Sequence, residues 1–314
     1  MAQTMKASTI RDFGLPEVLK IEQVARPAAA RGEVLVRVRA VGINPIDYKT
    51  RQGLGANRRC KETVFPVILG WDISGVVEES LDPAWKKGDE VFALARYPQP
   101  GGGYAEYTSV PASQLVAKPR SLDHVHAAAV PLVALTAWQA IFEKANLAAG
   151  QTILIHAAAG GVGHLAVQLA KWKGAKVIAT ASGRNESFVK GLGADQFIDY
   201  TKEKFEELAR DVDVVFQTIG PDFRPRSWKT LKKGGWLVAI AGPFSEDEAA
   251  AHGARGAFVS VRSDARQLAQ IAELIEAGKL KVTVDKTYPL ADIVKAHEHV
   301  EGGHTRGKVV VTID

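Results

Sequence analysis

Apolar residues follow two different rhythms along this chain. From residue 5 to about 120 they alternate with polar residues over short runs. In Glu33-Val34-Leu35-Val36-Arg37-Val38-Arg39-Ala40-Val41 apolar and charged positions alternate, the pattern of a half-buried strand. Pro66-Val67-Ile68-Leu69 and Ser74-Gly75-Val76-Val77 predict strands around a turn, and Gly88-Asp89-Glu90-Val91-Phe92-Ala93 predicts a turn entering another strand. The Gly and Pro punctuation between these runs predicts a compact, partly open β-barrel. From about residue 124 the rhythm changes to alternating helix and strand. The pattern predicts helices over 164–174 and 185–192, and strands over 176–181, 195–199, 213–216 and 235–240. A strand at 258–261 and an amphipathic helix over 267–277 follow, and 307–313 returns to an antiparallel-looking strand. The expected fold is therefore α/β: a doubly wound parallel sheet over 124–262, inserted between residues 1–123 and 263–314 of a β-rich domain.

The change of rhythm is sharpest at Ile153-Leu154-Ile155-His156-Ala157-Ala158-Ala159-Gly160-Gly161-Val162-Gly163, where an apolar run breaks into small residues and then resumes at helical spacing. This is a strand, a tight turn and a helix whose N-terminus faces the turn. Unpaired N–H groups and the positive end of the helix dipole converge there, which suits a pyrophosphate. Gly160 and Gly163 hold the last two glycine positions of the G-x-G-x-x-G fingerprint, and Ala158 holds the first. A second strand at 176–181 completes the unit that separates a dinucleotide site from a glycine turn used only for packing. After that strand an NAD site carries an acid, whereas this chain has Ser182-Gly183-Arg184-Asn185. A hydroxyl and a guanidinium suit a 2′-phosphate, Tyr200 completes such a pocket, and NADPH is the expected cofactor. Arg184 equally suits a solvated helix start.

At 314 residues the chain exceeds one typical domain, and two domains sharing a cleft is the expectation. Its 46% hydrophobic and 24% charged residues are those of a globular protein. A net charge of +5 from 40 basic and 35 acidic residues, with no dense basic tract, argues for no specific nucleic-acid partner. Cys60 is the only cysteine, so neither an intrachain disulfide nor a cysteine metal cluster forms, and no motif around it suggests a nucleophile. The N-terminus enters strand-like sequence directly, and the apolar run 127–142 contains Pro131 and is too short to span a bilayer. A cytoplasmic protein without membrane attachment is expected.

The segments Gly42-Ile43-Asn44-Pro45-Ile46-Asp47-Tyr48-Lys49, Leu69-Gly70-Trp71-Asp72, Gly103-Tyr104-Ala105-Glu106-Tyr107, 157–163 and Arg306-Gly307-Lys308-Val309-Val310 together resemble the medium-chain dehydrogenase/reductase superfamily, in its zinc-free quinone oxidoreductase and enone reductase branch. The resemblance covers essentially the whole chain. It implies a GroES-like barrel domain and a Rossmann domain with the active site in the cleft between them, and a homodimer. Asn44 stands where the zinc branch places a cysteine ligand, and Gly70-Trp71-Asp72 stands where it places Gly-His-Glu. Without zinc, an alkoxide loses its main stabilisation. Hydride transfer to a quinone, or to a C=C bond conjugated to a carbonyl, needs only positioning, hydrogen bonds and a proton source.

Those roles point to Asn44 as a donor to the substrate oxygen, to Lys49 as a ribose-binding proton relay where alcohol dehydrogenases carry a histidine, and to Tyr48 as a second donor. Asp47 and Trp71 are expected at the substrate pocket; an Asp47–Lys49 ion pair and core packing of Trp71 are the structural alternatives. Thr136 reaches the nicotinamide by family analogy, or bonds back to its own helix. The cofactor set is Thr136, Ala159, Gly160, Gly161, Val162, Gly163, Ser182, Arg184 and Tyr200, with no metal. The expected activity is NADPH-dependent reduction of quinones or enones. A zinc-free reductase of another activated carbonyl and a non-catalytic NADPH-binding redox sensor are the other readings.

Overall fold

In the computed structural model, which describes residues 3–58 and 64–314, the alternating run near residue 35 forms the strand Glu33–Ile43. Val34, Leu35, Val36, Val38, Ala40, Val41 and Ile43 on it are buried. This strand organises the first of two compact units, Met1–Leu132 with Arg262–Gly278 and Val282–Asp314. Along one edge it pairs antiparallel with Asp72–Ser80; along the other it pairs with Tyr107–Pro111 and then with Lys308–Thr312. Glu90–Leu94, Val116–Ala117 and Val284–Pro289 complete a seven-stranded sheet. A three-stranded sheet joins Thr4–Ile10 to Lys20–Ala25 and Val67–Ile68.

The helix His124–Ala128 packs on this unit, with Ala128 against Ala40 and Val310. A Cβ on Gly42 would lie 2.2 Å from the Ala128 carbonyl, so only glycine lets the helix rest on the strand. The sequence pattern assigns residue 124 to the inserted domain, because a short alanine-rich helix reads the same whichever sheet it covers. The boundary between units falls instead inside the helix Pro131–Trp138. Pro131 opens that helix, where its missing N–H costs nothing, and a π-helical turn Gln139–Lys144 extends it.

The second unit is Val133–Val261 with Lys279–Lys281. Its six strands are Thr152–Ile155, Lys176–Ala181, Gln196–Asp199, Val212–Gln217, Leu231–Ala239 and Arg255–Phe258, all parallel. Across the sheet they lie third, second, first, fourth, fifth, sixth. The order reverses beside the first strand, and doubly wound sheets bind ligands at that switch point. Leu154, Ile178, Ile198, Val215 and Leu237 carry the core across five strands, with Phe205 and Trp228 packed on them.

Several elements differ from the sequence pattern. The sixth strand ends at Phe258 rather than starting there. The strand Val284–Pro289 and the helix Ile293–Glu301 have no counterpart in the reading. Val284–Pro289 is an edge strand with largely exposed side chains, so it carries no buried-face alternation to read. No helix among the described residues is long and apolar enough to cross a membrane. Cys60, with Arg59 and Lys61, lies outside the described residues.

Candidate active site

The first parallel strand ends at Ile155, and the chain turns through Ala157, a non-glycine residue at φ 46°. Gly160 caps the helix Gly161–Trp172. A Cβ on Gly163 would stand 2.2 Å from the Ala157 carbonyl and 2.7 Å from the Ala158 Cα, both backbone atoms. A Cβ on Gly160 would come no closer than 3.3 Å to anything. Gly163 is therefore the residue that lets the helix begin tight against the strand end. Ala159, Gly160, Gly161 and Val162 form the turn and first helical residues, where N–H groups lack intrahelical partners; the Gly160 N–H is already taken by the Ala157 carbonyl at 2.9 Å.

Both flanking histidines are structural. His156 is buried between the Thr180 hydroxyl at 3.1 Å and the Ser227 hydroxyl at 3.2 Å. Burial, with the Arg226 charge, pushes it down to about 3, so it is neutral. His164 Nδ1 lies 2.7 Å from the Gly161 carbonyl, holding the helix start.

Ser182 and Tyr200 each lie one residue beyond Ala181 and Asp199, register partners on neighbouring parallel strands, and Arg184 follows in the turn after Ser182. Ser182 Oγ accepts from Asn185 Nδ2 at 3.2 Å, while Arg184 and Tyr200 are exposed. The sequence reading passed over Asp199. Its carboxylate accepts from the Thr201 hydroxyl at 2.7 Å and the Thr201 N–H at 3.1 Å. The Thr201 hydroxyl, then the backbone N–H groups of Thr201 and Gly183, hold it below its usual pKa. The acid followed two residues on by Thr is the sequence signal of such a turn. Thr136 is buried in the helix Pro131–Trp138.

In the first unit, Asn44 follows the end of the long strand and caps the helix Pro45–Arg51, which carries Tyr48 and Lys49 at its middle. The Asn44 N–H donates to Asp47 Oδ2 at 2.8 Å. The Asn44 amide expected to meet a substrate oxygen instead donates to Asp72 Oδ2 at 2.9 Å, and its Oδ1 accepts from Lys308 Nζ. Lys308 also donates to the Ile43 carbonyl and lies 3.7 Å from Asp72. Asp72 Oδ1 accepts the Leu132 N–H at 2.7 Å, at the start of the helix Pro131–Trp138. All four side chains are buried. Burial pushes Asp72 up to about 6, against the pull of Lys308, and pushes the Lys308 ammonium down.

Asp47 pairs with no lysine at its neighbour Lys49, which is exposed. The Tyr104 hydroxyl faces Asp47 and lies 3.1 Å from His297 Nε2; His297 Nδ1 faces Arg51 Nη1 at 3.3 Å, and Arg51 Nη2 meets Glu301 at 2.6 Å. Arg51 donates only, so Nδ1 accepts and Nε2 carries the proton toward Tyr104. His297, pushed down to about 3 by burial and by Arg51, stays neutral as that chain requires. Burial raises Asp47 to about 7 despite its hydrogen bonds. Tyr48 is half-buried and raised, by desolvation and then by Glu301, so its phenol keeps its proton. Trp71 is buried, donates to the Gln99 carbonyl at 2.6 Å and packs edge-on to Tyr97. Sequence reasoning missed Lys308, Tyr104, His297 and Arg51.

The residues at 44, 71 and 72 do not fit zinc. The two oxygen donors there already close on an ammonium, and the third position is an indole. Among the described residues, no group of three or more His, Cys, Asp or Glu side chains could hold a metal ion.

Two family models match, an alcohol dehydrogenase GroES-like domain over residues 30–120 and a zinc-binding dehydrogenase over residues 192–311. The chain is 37% identical to the NADPH-dependent alkenal/one oxidoreductase, chloroplastic, of Arabidopsis thaliana, covering 98% of this chain and 79% of that one. It is 35% identical to 2-methylene-furan-3-one reductase of Solanum lycopersicum, again over 98% and 79%. Among solved structures, the quinone oxidoreductase of Coxiella burnetii is 36% identical, covers 99% of this chain and 100% of its own, and superposes with a TM-score of 0.93.

Two expectations follow from this geometry. Gly163→Ala forces a methyl into backbone atoms, which costs about 1–3 kcal/mol of stability, and it weakens NADPH at least about tenfold; Gly160→Ala stays within about threefold. Denaturation and calorimetry on both variants check this, and a Gly163→Ala protein with wild-type affinity would refute the close approach. Asp47 starts from 3.8 and rises to about 7 on folding, so the folded state binds its proton more tightly. Its contribution is therefore full below the unfolded value and lost as pH rises through about 7. Asp47→Asn removes that slope and is the more stable protein above pH about 7. Urea unfolding across the range checks it; parallel curves for the two proteins would mean that Asp47 is not held desolvated.

Proposed function

This chain belongs to the medium-chain dehydrogenase/reductase superfamily, in its zinc-free quinone oxidoreductase and enone reductase branch, and from that premise we propose that it is an NADPH-dependent reductase of quinones or of the C=C bond of α,β-unsaturated carbonyls. The observation that carries the reading is the donor set at 44, 71 and 72. Asn44, Trp71 and Asp72 are committed to Lys308, Gln99, Leu132 and each other, so they give a substrate alkoxide no Lewis acid. Conjugated acceptors need none, because developing charge spreads onto their oxygen.

NADPH, when bound, supplies the hydride. The chain's residues then have three tasks. The turn from Ala159 to Gly163 offers N–H groups and a helix dipole to a pyrophosphate. Ser182, Arg184 and Tyr200 receive a 2′-phosphate, Arg184 as the charge-assisted donor. Thr136 we assign to the nicotinamide by family analogy. Tyr48 and Lys49 present proton donors from one helix, Tyr48 kept protonated by its raised pKa. With the Asn44 amide engaged, we assign the substrate oxygen to Tyr48, and give Asn44, Asp47 and Trp71 the task of holding that helix and the wall behind it. A homodimer and a cytoplasmic location are further proposals, resting on family analogy and composition.

NADPH oxidation against a panel of quinones, enones, saturated aldehydes and alcohols tests the reading, which fails if only the last two classes turn over. Arg184→Ala should weaken NADPH by about ten- to hundredfold, since a charge-assisted contact is worth roughly 1.5–3 kcal/mol, and should leave NADH nearly unchanged. Equal wild-type affinities for the two cofactors would reject the pocket. Lys49→Met should lower kcat on enones by about 10²-fold and affect KM little, with a smaller loss on quinones. Wild-type turnover in that variant would remove Lys49 from the proton path.

A further inference from the structure

Lys308 occupies the donor set at 44 and 72, but a buried ammonium there has a further role open to it. It is 3% exposed, and a fully buried lysine persists only when its charge is answered. Its ammonium has three protons and meets three acceptors: the Ile43 carbonyl, Asn44 Oδ1 and the Asp72 carboxylate. Two of these lie at positions 44 and 72, within the segments where the zinc branch carries its metal ligands. The third is the last residue of the strand that leads into the active-site helix.

We propose that Lys308 is a positioning residue, an internal cation standing in for a metal, which clamps Asn44 and so fixes the helix Pro45–Arg51 that carries Tyr48 and Lys49. Three lines of geometry support it. The Asn44 amide cannot turn toward a substrate, because its oxygen faces an ammonium and its nitrogen a carboxylate. The Asn44 N–H at the same time reaches Asp47, so the helix N-terminus is tied through both the side chain and the backbone of Asn44. Asp72 in turn receives the Leu132 N–H, so the same cation, acting through one carboxylate, also steadies the start of the helix Pro131–Trp138. A neutral residue at 308 would leave Asp72 with its charge buried and only N–H donors to answer it. The opposite end of the helix Pro45–Arg51 is held separately, by Arg51 on Glu301 and on the Gly14 carbonyl. The clamp thus governs the N-terminal end and the register of Tyr48 and Lys49 above it.

The kinetic side of this inference rests on the reductase reading; the exchange side does not. Lys308→Met and the charge-balanced pair Lys308→Met/Asp72→Asn are compared with the wild type. Three quantities are read: amide hydrogen exchange over residues 44–52, NADPH affinity, and kcat against KM on the best quinone and enone. Both variants should exchange at least about tenfold faster over 44–52, with the helix Ala265–Glu276 unchanged as an internal control. Both should lose about tenfold or more in kcat, with NADPH affinity and substrate KM within about threefold. The double variant should recover most of the thermal stability lost by Lys308→Met, since no unpaired carboxylate remains. Wild-type exchange and kcat in either variant would overturn the clamp. Full recovery of kcat and exchange in the double variant would also overturn it, reducing Lys308 to a neutraliser of Asp72. If the wild type turns over no quinone or enone, the reductase reading has failed, and the exchange rates alone decide the clamp.

Discussion

The contact between the Lys308 ammonium and the Asn44–Asp72 pair is the constraint around which the polar interior of the first unit is paired. A charge of either sign is expensive to remove from water, and a pair is tolerated only where every remaining proton and lone pair finds a partner. That demand reaches outward in steps. Asp72 takes an N–H from a helix start, Asn44 meets a strand carbonyl and an ammonium, and Asp47 takes the Asn44 N–H on one of its two oxygens. Beyond Asp47 the sequence Tyr104, His297, Arg51, Glu301 passes the same obligation to the partly exposed Glu301. The unit is thus held by a polar thread through an apolar interior, and the ends of the Asn44–Arg51 segment are both knotted into it.

The second unit solves a different problem with the opposite means. An anion site needs backbone N–H groups left unpaired, and unpaired groups require the chain to come close without side chains in the way. Gly163 supplies the close approach, and the neutral, hydrogen-bonded His156 anchors the strand end beneath it. Thr218, just beyond the fourth strand, bonds the His156 carbonyl at 2.6 Å and ties the two strands at the point where the sheet reverses direction of growth. One unit is tied together by buried charges; the other is shaped by a close backbone approach at a helix start.

These two solutions differ in how far they can be read from sequence. The glycine turn is a local event, and its residues, the strand Lys176–Ala181 and the alternation of Glu33–Ile43 are visible because each is set by neighbours within a few positions. The nearness of the chain at Ser182 to the chain at Tyr200 is legible for the same reason, once parallel pairing is assumed. The buried cluster is not local. Lys308 is 265 residues from the Ile43 carbonyl it bonds, and His297 is 193 from Tyr104. Read alone, Lys308 sits in a strand of valines and looks like a solvated edge charge, while Asn44 looks like a free donor. Only the pairing of Lys308–Thr312 with Ile43 and its neighbours reveals that each consumes the other. Trp71 is ambiguous in sequence for a plainer reason, since an indole suits a pocket wall and a core equally well.

The carboxylate of Asp199 has a consequence for how this protein can change over evolutionary time. It accepts from the Gly183 N–H, and a Cβ at 183 would stand 2.5 Å from its Oδ2. A side chain in the middle of that turn would therefore have to displace a carboxylate held by Thr201 and by the turn's own backbone. Positions 182 and 184 carry no such obligation to Asp199. If, as proposed, this turn receives the adenosine end of a dinucleotide, a change of nucleotide is more easily written beside Gly183 than at it.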